Sequence, residues 1–233
     1  MRLFYDPTIE SSKKNHALSE EESKHICRVL RLKIGDDVAI LDGNGSLFET
    51  KIIDDNPKRC TVEIVNHTFQ EKPTSEIHIA IAPTKMMDRL EWFLEKATEI
   101  GITEVTPLLC DNSERKQIKD ERLEKILVSA MKQSKRMYLP KLNTLTDFNT
   151  FIQAHPSGLL AHCYENEKNA MKDVFVFNNC PILIGPEGDF STKEVEFAMK
   201  SGYKTITLGE NRLRTETAGI YAVVKAKLMI DNL

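Results

Sequence analysis

Short apolar runs rich in β-branched residues, broken by turn signals, fill the first seventy residues, and the hydrophobic period then lengthens. Arg2–Tyr5, Asp37–Leu41, Leu47–Ile53 and Cys60–Val65 read as strands. Asp42-Gly43-Asn44-Gly45 between two of them is a hairpin-turn signal, because glycine and asparagine accept the positive φ that such turns need. Ser19-Glu20-Glu21-Glu22 opens one short helix, with Ser19 as cap and the acids beside its positive end. These elements predict a small β-barrel over residues 1–70, and Gln70–Ser75 reads as a linker.

From Glu76 strands alternate with helices. Ile77–Ala82 is an apolar run. Leu90, Phe93, Leu94, Ala97 and Ile100 then recur at helical spacing over about Met86–Ile100, and Gly101 ends that helix. Val105–Leu109, Leu159–Cys163, Ile182–Ile184 and Lys204–Leu208 are further strands. Ile118–Met137, Ser191 to about Lys200 and Thr215 to about Ile230 are further helices, and Ser191 with Glu194 spells a capping box. Repeated β-then-α units predict an α/β domain over residues 71–233 with a mostly parallel sheet covered on both faces.

Composition narrows the class. With 233 residues, 41% hydrophobic and 29% charged, the chain can hold one large domain or two modest ones and is not of the disordered type. No run of about eighteen apolar residues is present, and MRLFYDPTIE lacks the apolar stretch of a secretory signal. The expectation is a cytoplasmic protein with no membrane contact. Five cysteines are scattered singly with no C-x-x-C, which reads as reduced thiols rather than a zinc site, so no metal is expected. The net charge of −3 hides two basic stretches. Residues 112–141 carry nine Lys/Arg against four acids, an excess of +5, and Lys24–Lys33 carries no acid at all. Either stretch alone can be a solvated helix face. Two of them suit a polyanionic partner, since phosphate binding depends on local surface charge.

The candidate chemistry lies in PILIGPEGDFS (Pro181–Ser191) and LGENRLRTETAGIYAV (Leu208–Val223). Each is a strand that ends in a glycine-containing loop and opens a helix, and ligands of open α/β sheets bind at such carboxyl ends. Gly185, Gly188 and Gly209 leave backbone open to a flat ring, whose faces Leu183, Leu208 and Leu213 can cover. Neither a Walker lysine nor G-x-G-x-x-G is present, so the usual phosphate cradles are missing. The alternative is that these glycines serve only the chain path. Thr215 or Thr217 reads as an N-cap, Arg212 and Arg214 as donors to a phosphate or a base carbonyl, and Glu187 as either a solvated or a catalytic carboxylate.

These two segments, with EKATEIGITEVTPL (Glu95–Leu108), SAMKQSKRMYLP (Ser129–Pro140) and HICRVLRLKIGDDV (His25–Val38), resemble the ribosomal RNA small-subunit uridine-N3 methyltransferases of the SPOUT superfamily. The likeness covers nearly the whole chain with five motifs in order. It implies a PUA-like β-barrel RNA-binding domain, a C-terminal trefoil knot, and a homodimer that methylates N3 of a uridine of 16S ribosomal RNA in the small subunit. It implies S-adenosyl-L-methionine held by His162, Leu183, Gly185, Pro186, Glu187, Gly188, Leu208, Gly209, Leu213, Thr215, Thr217 and Ala218. It also implies RNA contacts from Lys24, His25, Arg28, Arg31, Lys85, Arg115, Lys132, Arg136 and Arg212. Arg214 is then the donor for charge developing on the uracil oxygens, and Glu187, Glu216 or water takes the N3 proton. Two departures stand out: Asp189 sits where the family usually has a second glycine, and Asn211-Arg212 where it has arginine followed by Ile or Val. Rival readings are a non-catalytic ribosome-assembly factor on this scaffold, a SPOUT enzyme acting on another RNA, and an unrelated small-molecule α/β enzyme.

Overall fold

A computed structural model describes residues 2–164, 168–176 and 180–232. Its contacts divide the chain into a first unit, which runs through Pro73 and also takes in Met131–Leu139, and a second unit of Thr74–Ala130 with the chain from Pro140 onward.

The first unit contains β1 (Arg2–Tyr5), β2 (Asn15–Ala17), α1 (Glu20–Lys24), β3 (Asp37–Leu41), β4 (Ser46–Asp54) and β5 (Thr61–Phe69). They form a five-stranded sheet in the order β1-β3-β4-β5-β2. Ser19 caps α1 through the amide of Glu22, as its sequence suggests, and the helix continues as a π-turn over His25–Val29 that drives Ile26 into the core. Phe4, Ile26, Ile40, Phe48 and Val62 fill that core, and His16 Nε2 meets Asp6 Oδ2 at 3.1 Å beside it. β5 extends four residues beyond its expected end because β4 pairs with it as far as Ser46↔Phe69.

The Asp42–Gly45 turn joins β3 to β4, with Gly43 and Gly45 at φ 73° and 101°. It is also held from outside the hairpin. Gly45 N–H donates to Met137 O (2.9 Å), and Leu139 N–H to Gly43 O (2.9 Å). Lys135, at φ 57°, breaks the helix that the periodicity extends to Met137 and sends the chain to this turn.

The second unit adds β6 (His78–Ile81), α2 (Met87–Ile100), β7 (Glu104–Leu109), α3 (Asp120–Ser134), β8 (Lys141–Leu142), β9 (Thr146–Asp147), α4 (Phe148–Ala154), β10 (Gly158–Ala161), β11 (Asn169–Ala170), α5 (Met171–Val174), β12 (Ile182–Ile184), α6 (Thr192–Lys200), β13 (Tyr203–Thr207) and α7 (Thr215–Asp231). Sequence periodicity does not reveal α4 and the two-residue strands, which are too short to repeat. The main sheet runs β11-β13-β10-β12-β6-β7-β8 with every pairing parallel. β10 lies between β12 and β13, and Ala161 is in register with both Ile184 and Ile206. The carboxyl ends of three strands therefore stop side by side.

At the opposite end of the sheet His78 is half-buried against Phe151 and His155, with ring centroids 5.6 and 5.5 Å away, and its Nε2 lies 2.8 Å from Thr106 Oγ1. Burial pushes its pKa down to about 4, against the opposing pull of Glu104, while His155 and Lys141 add to the depression. The folded value lies below that of the unfolded chain, so this group's stabilising contribution is present above pH ~6.5 and is lost as pH falls toward 4. Denaturant unfolding between pH 7 and 4 should show wild-type stability falling by up to about 1.4 kcal/mol per pH unit more than that of His78→Phe. Parallel profiles for the two proteins would contradict this.

Candidate functional site

Three loops meet over Ala161: His162–Tyr164 after β10, Gly185–Ser191 after β12, and Leu208–Arg214 after β13. They enclose two adjoining cavities. One, of about 280 Å³, is lined by Ile184–Glu187, Asp189 and Arg212–Thr215. The other, of about 310 Å³, is lined by His162, Lys168 and Ile206–Leu213. Ala161, Cys163, Arg212, Leu213 and Ala218 border both, so the two form one divided crevice.

The glycines act in different ways. Gly185 does not need a left-handed backbone; a Cβ there would sit 3.1 Å from the Phe190 ring and 3.2 Å from its amide. At Gly188 a Cβ would approach Asn112, so that residue faces a neighbouring loop rather than the crevice. Gly209 has φ +136° with open space beside it, and Thr207 Oγ1 bonds to its amide and its carbonyl.

Asp189 joins two of the loops. It holds φ 64°, a left-handed conformation unfavourable for a residue with a Cβ. Its Oδ2 accepts Cys163 N–H at 2.7 Å, and its Oδ1 accepts Phe190 N–H at 2.8 Å. Asn112 Nδ2 donates to Gly188 O and Asp189 O at 3.2 and 3.0 Å, supporting the same loop from behind. The capping box on α6 is present in both directions, Ser191 to Glu194 and back. Asn112 is the functional contact that the sequence reading lacks; only its place after a strand end hinted at it.

His162 is fixed next. Its Nδ1 accepts Tyr164 N–H at 3.1 Å, and Tyr164 Oη donates to Phe190 O at 2.7 Å. Burial holds its pKa below the ordinary value, with Lys168 adding to this and Asp189 opposing it. A neutral ring with an accepting Nδ1 carries its proton on Nε2. That Nε2 is buried without a hydrogen-bond partner among the described residues, in a side chain that lines the second cavity. A buried donor left unpaired is costly, and a bound acceptor relieves that cost.

The charged candidates separate. Arg214 lines the first cavity; its carbonyl accepts Ala218 N–H at 2.8 Å, while its guanidinium makes no hydrogen bond or ion pair among the described residues. Glu187 lines the same cavity, its Oε1 accepting Lys85 N–H at 3.0 Å. Arg212 Nη2 reaches Glu187 O at 3.4 Å. Glu216 lies outside both cavities, buried on α7, with Arg89 Nε 3.9 Å from Oε1 and Oε2 without a hydrogen-bond partner among the described residues. Leu183 is fully buried in the core, and Thr217 is exposed outside the cavities. The N-cap reading of Thr215 or Thr217 is corrected: Arg214 occupies the cap position with no side-chain cap, and Thr215 Oγ1 instead donates to Gly185 O at 3.1 Å.

The basic residues are less free than their spacing suggests. Lys24 pairs with Glu20 at 2.6 Å, and Glu22 draws both His25 (3.6 Å) and Lys132 (3.4 Å). Arg115 donates to Thr84 O and Lys85 O, Lys85 pairs with Glu114 at 2.9 Å, and Arg136 is half-buried. Arg28 and Arg31 remain exposed and without such partners among the described residues.

Removing the carboxylate at 189 should lower stability by about 2–4 kcal/mol in Asp189→Ala, through two lost acceptors and a strained alanine. Asp189→Gly, free of the strain, should fall between Ala and wild type. Amide exchange should quicken first at Cys163 and Phe190; unchanged exchange there would contradict the clamp.

Comparison with known proteins gives a consistent match. Residues 70–227 match the family described as RNA methyltransferase domain, and residues 18–65 the family described as RNA methyltransferase PUA domain. Ribosomal RNA small subunit methyltransferase E 2 of Borreliella burgdorferi is 30% identical, over 89% of this chain and 88% of its own. A Porphyromonas gingivalis structure named "probable rRNA-methyltransferase" is 40% identical with TM-score 0.89, covering 100% of this chain and 99% of its own. A Legionella pneumophila structure in complex with the bound cofactor SAM is 25% identical with TM-score 0.86, covering 97% and 96%.

Proposed function

The chain belongs to the RNA methyltransferase family that includes ribosomal RNA small subunit methyltransferase E, and from that premise we propose that it methylates N3 of a uridine in 16S ribosomal RNA, with S-adenosylmethionine as methyl donor. The observation that carries this reading is the divided crevice, where a buried His162 donor and the Arg214 guanidinium, both without partners among the described residues, open onto backbone and leucine walls. Gly185, Pro186, Leu208, Gly209, Leu213, Thr215 and Ala218 suit the cofactor, because they offer amides, carbonyls and apolar surface without fixed charge. His162 Nε2–H would serve as a hydrogen-bond donor to it. Bound there, the cofactor supplies an electrophilic methyl group on a sulfonium.

Uridine N3 becomes nucleophilic only as its proton leaves. Arg214 presents a fixed fork of donors to the uracil oxygens and stabilises the negative charge that then develops. Glu187, held at one oxygen by Lys85 N–H and lining the same cavity as Arg214, takes the proton in this reading, directly or through water. Glu216 is buried on the α2 side of α7, outside both cavities, and does not take the proton in this reading.

The chain acts as a homodimer in this reading. α7 is apolar nearly all round: Gly219, Ala222, Val223 and Ala226 are buried, while Tyr221 and Leu228 stay exposed, as does Trp92 on α2. A helix apolar on every side is normally covered on every side. The β12-to-α7 segment forms the trefoil knot of the SPOUT fold. The first unit contributes RNA contacts through Arg28 and Arg31, and the substrate is the small ribosomal subunit in the cytoplasm.

Mass mapping of 16S ribosomal RNA from a strain lacking this chain should find one N3-methyluridine missing, restored by the wild-type chain. Arg214→Ala should lower kcat by about 10²–10³-fold with cofactor affinity unchanged. A methyl mark intact without the protein would overturn the proposal.

A further inference from the structure

A further cavity of the second unit, about 810 Å³, lies apart from the crevice. It opens between α4 and α6, floored by the end of β7 and the loop that follows. Three carboxylates face it, and all three are already engaged. Asp111 Oδ2 accepts Ser191 Oγ–H at 2.6 Å. Asp147 Oδ1 accepts the amides of Asn149 and Thr150 at 3.0 and 3.2 Å. Glu194 accepts the amides of Asp111 and Ser191 at 2.9 and 2.7 Å.

What remains uncommitted is of another kind. Lys116 and Lys193, both exposed on the wall, have no carboxylate partner among the described residues, and the side-chain amides of Asn149 and Gln153 make no hydrogen bond there. Phe197, half-buried, supplies an aromatic surface. Two ammonium groups for a phosphate, two carboxamides for the edge of a base and a ring for its face are the complement of a nucleotide.

The cavity is coupled to the crevice by short bonds. Asp111 and Asn112 hold Ser191, Gly188 and Asp189, so the loop that lines the crevice on one side is buttressed on the other by the wall of this cavity. We propose that the cavity binds a nucleotide of the RNA flanking the one that is methylated. This rests on the RNA methyltransferase reading above.

The test uses the intact protein and the double variant Lys116→Ala/Lys193→Ala, both exposed positions, with unchanged melting as the control for folding. A single-stranded oligoribonucleotide carrying 4-thiouridine is titrated across salt and photo-crosslinked. The wild type should crosslink within 148–153 or 193–197. The double variant should bind about 10-fold more weakly, with the slope of log K against log salt reduced by about 1.4, two single-strand phosphate contacts. Its KM for RNA should rise and its cofactor affinity stay unchanged. Equal affinity and equal slope in the variant overturn the pocket even where 16S methylation proceeds normally. Tight binding of uridine 5′-monophosphate in the cavity with no effect on RNA binding overturns it too, in favour of a mononucleotide site. Crosslinking and slope as expected in a protein that methylates nothing would uphold the pocket and reject the methyltransferase reading.

Discussion

The parallel register of β10 between β12 and β13 is the constraint on which the functional half of the molecule depends. Ala161 aligns with Ile184 on one side and Ile206 on the other, so three chain segments leave the sheet at one level and turn over the same spot. None of the loops could build the crevice alone, because each contributes only a few backbone groups. A slip of one residue in any pairing would also exchange the two faces of that strand, and both faces are packed.

Register alone leaves the loops loose, and long-range polar contacts fix them. Asp189 ties the loop after β12 to the one after β10, Thr215 ties the start of α7 to Gly185, and Tyr164 closes onto Phe190. The left-handed aspartate is the most telling of these. A glycine would adopt its backbone at lower cost but would leave the amides of Cys163 and Phe190 without their present acceptors. Held this way, the crevice keeps its shape while leaving one buried imidazole donor and one guanidinium without partners among the described residues.

Local signals were legible in the sequence, and distant ones were not. The Ser191–Glu194 box and the Gly101 stop involve neighbours a few residues apart, and the structure reproduces both. The Asp42–Gly45 turn was legible as a hairpin, but its attachment to Met137 and Leu139 joins segments far apart in sequence. Thr215 looked like a cap because threonine often precedes a helix; its actual partner lies thirty residues back. Leu183 looked like a cavity wall because Ile182, Leu183 and Ile184 are equally apolar. In a strand covered on both faces, composition cannot tell which side chain faces which way. The pairing of the basic stretches was likewise not legible: the glutamates that engage Lys24, His25 and Lys132 come from the turn before and from a helix far along the chain.

The central claim is that the crevice over Ala161 is the cofactor site and that His162 takes part in it. Calorimetric titration of the intact protein with S-adenosylmethionine tests this most directly. The account predicts saturable binding, one site per chain, weakened about 10-fold in His162→Phe by loss of one buried hydrogen bond. Absence of binding, or binding that His162→Phe leaves untouched, would contradict it.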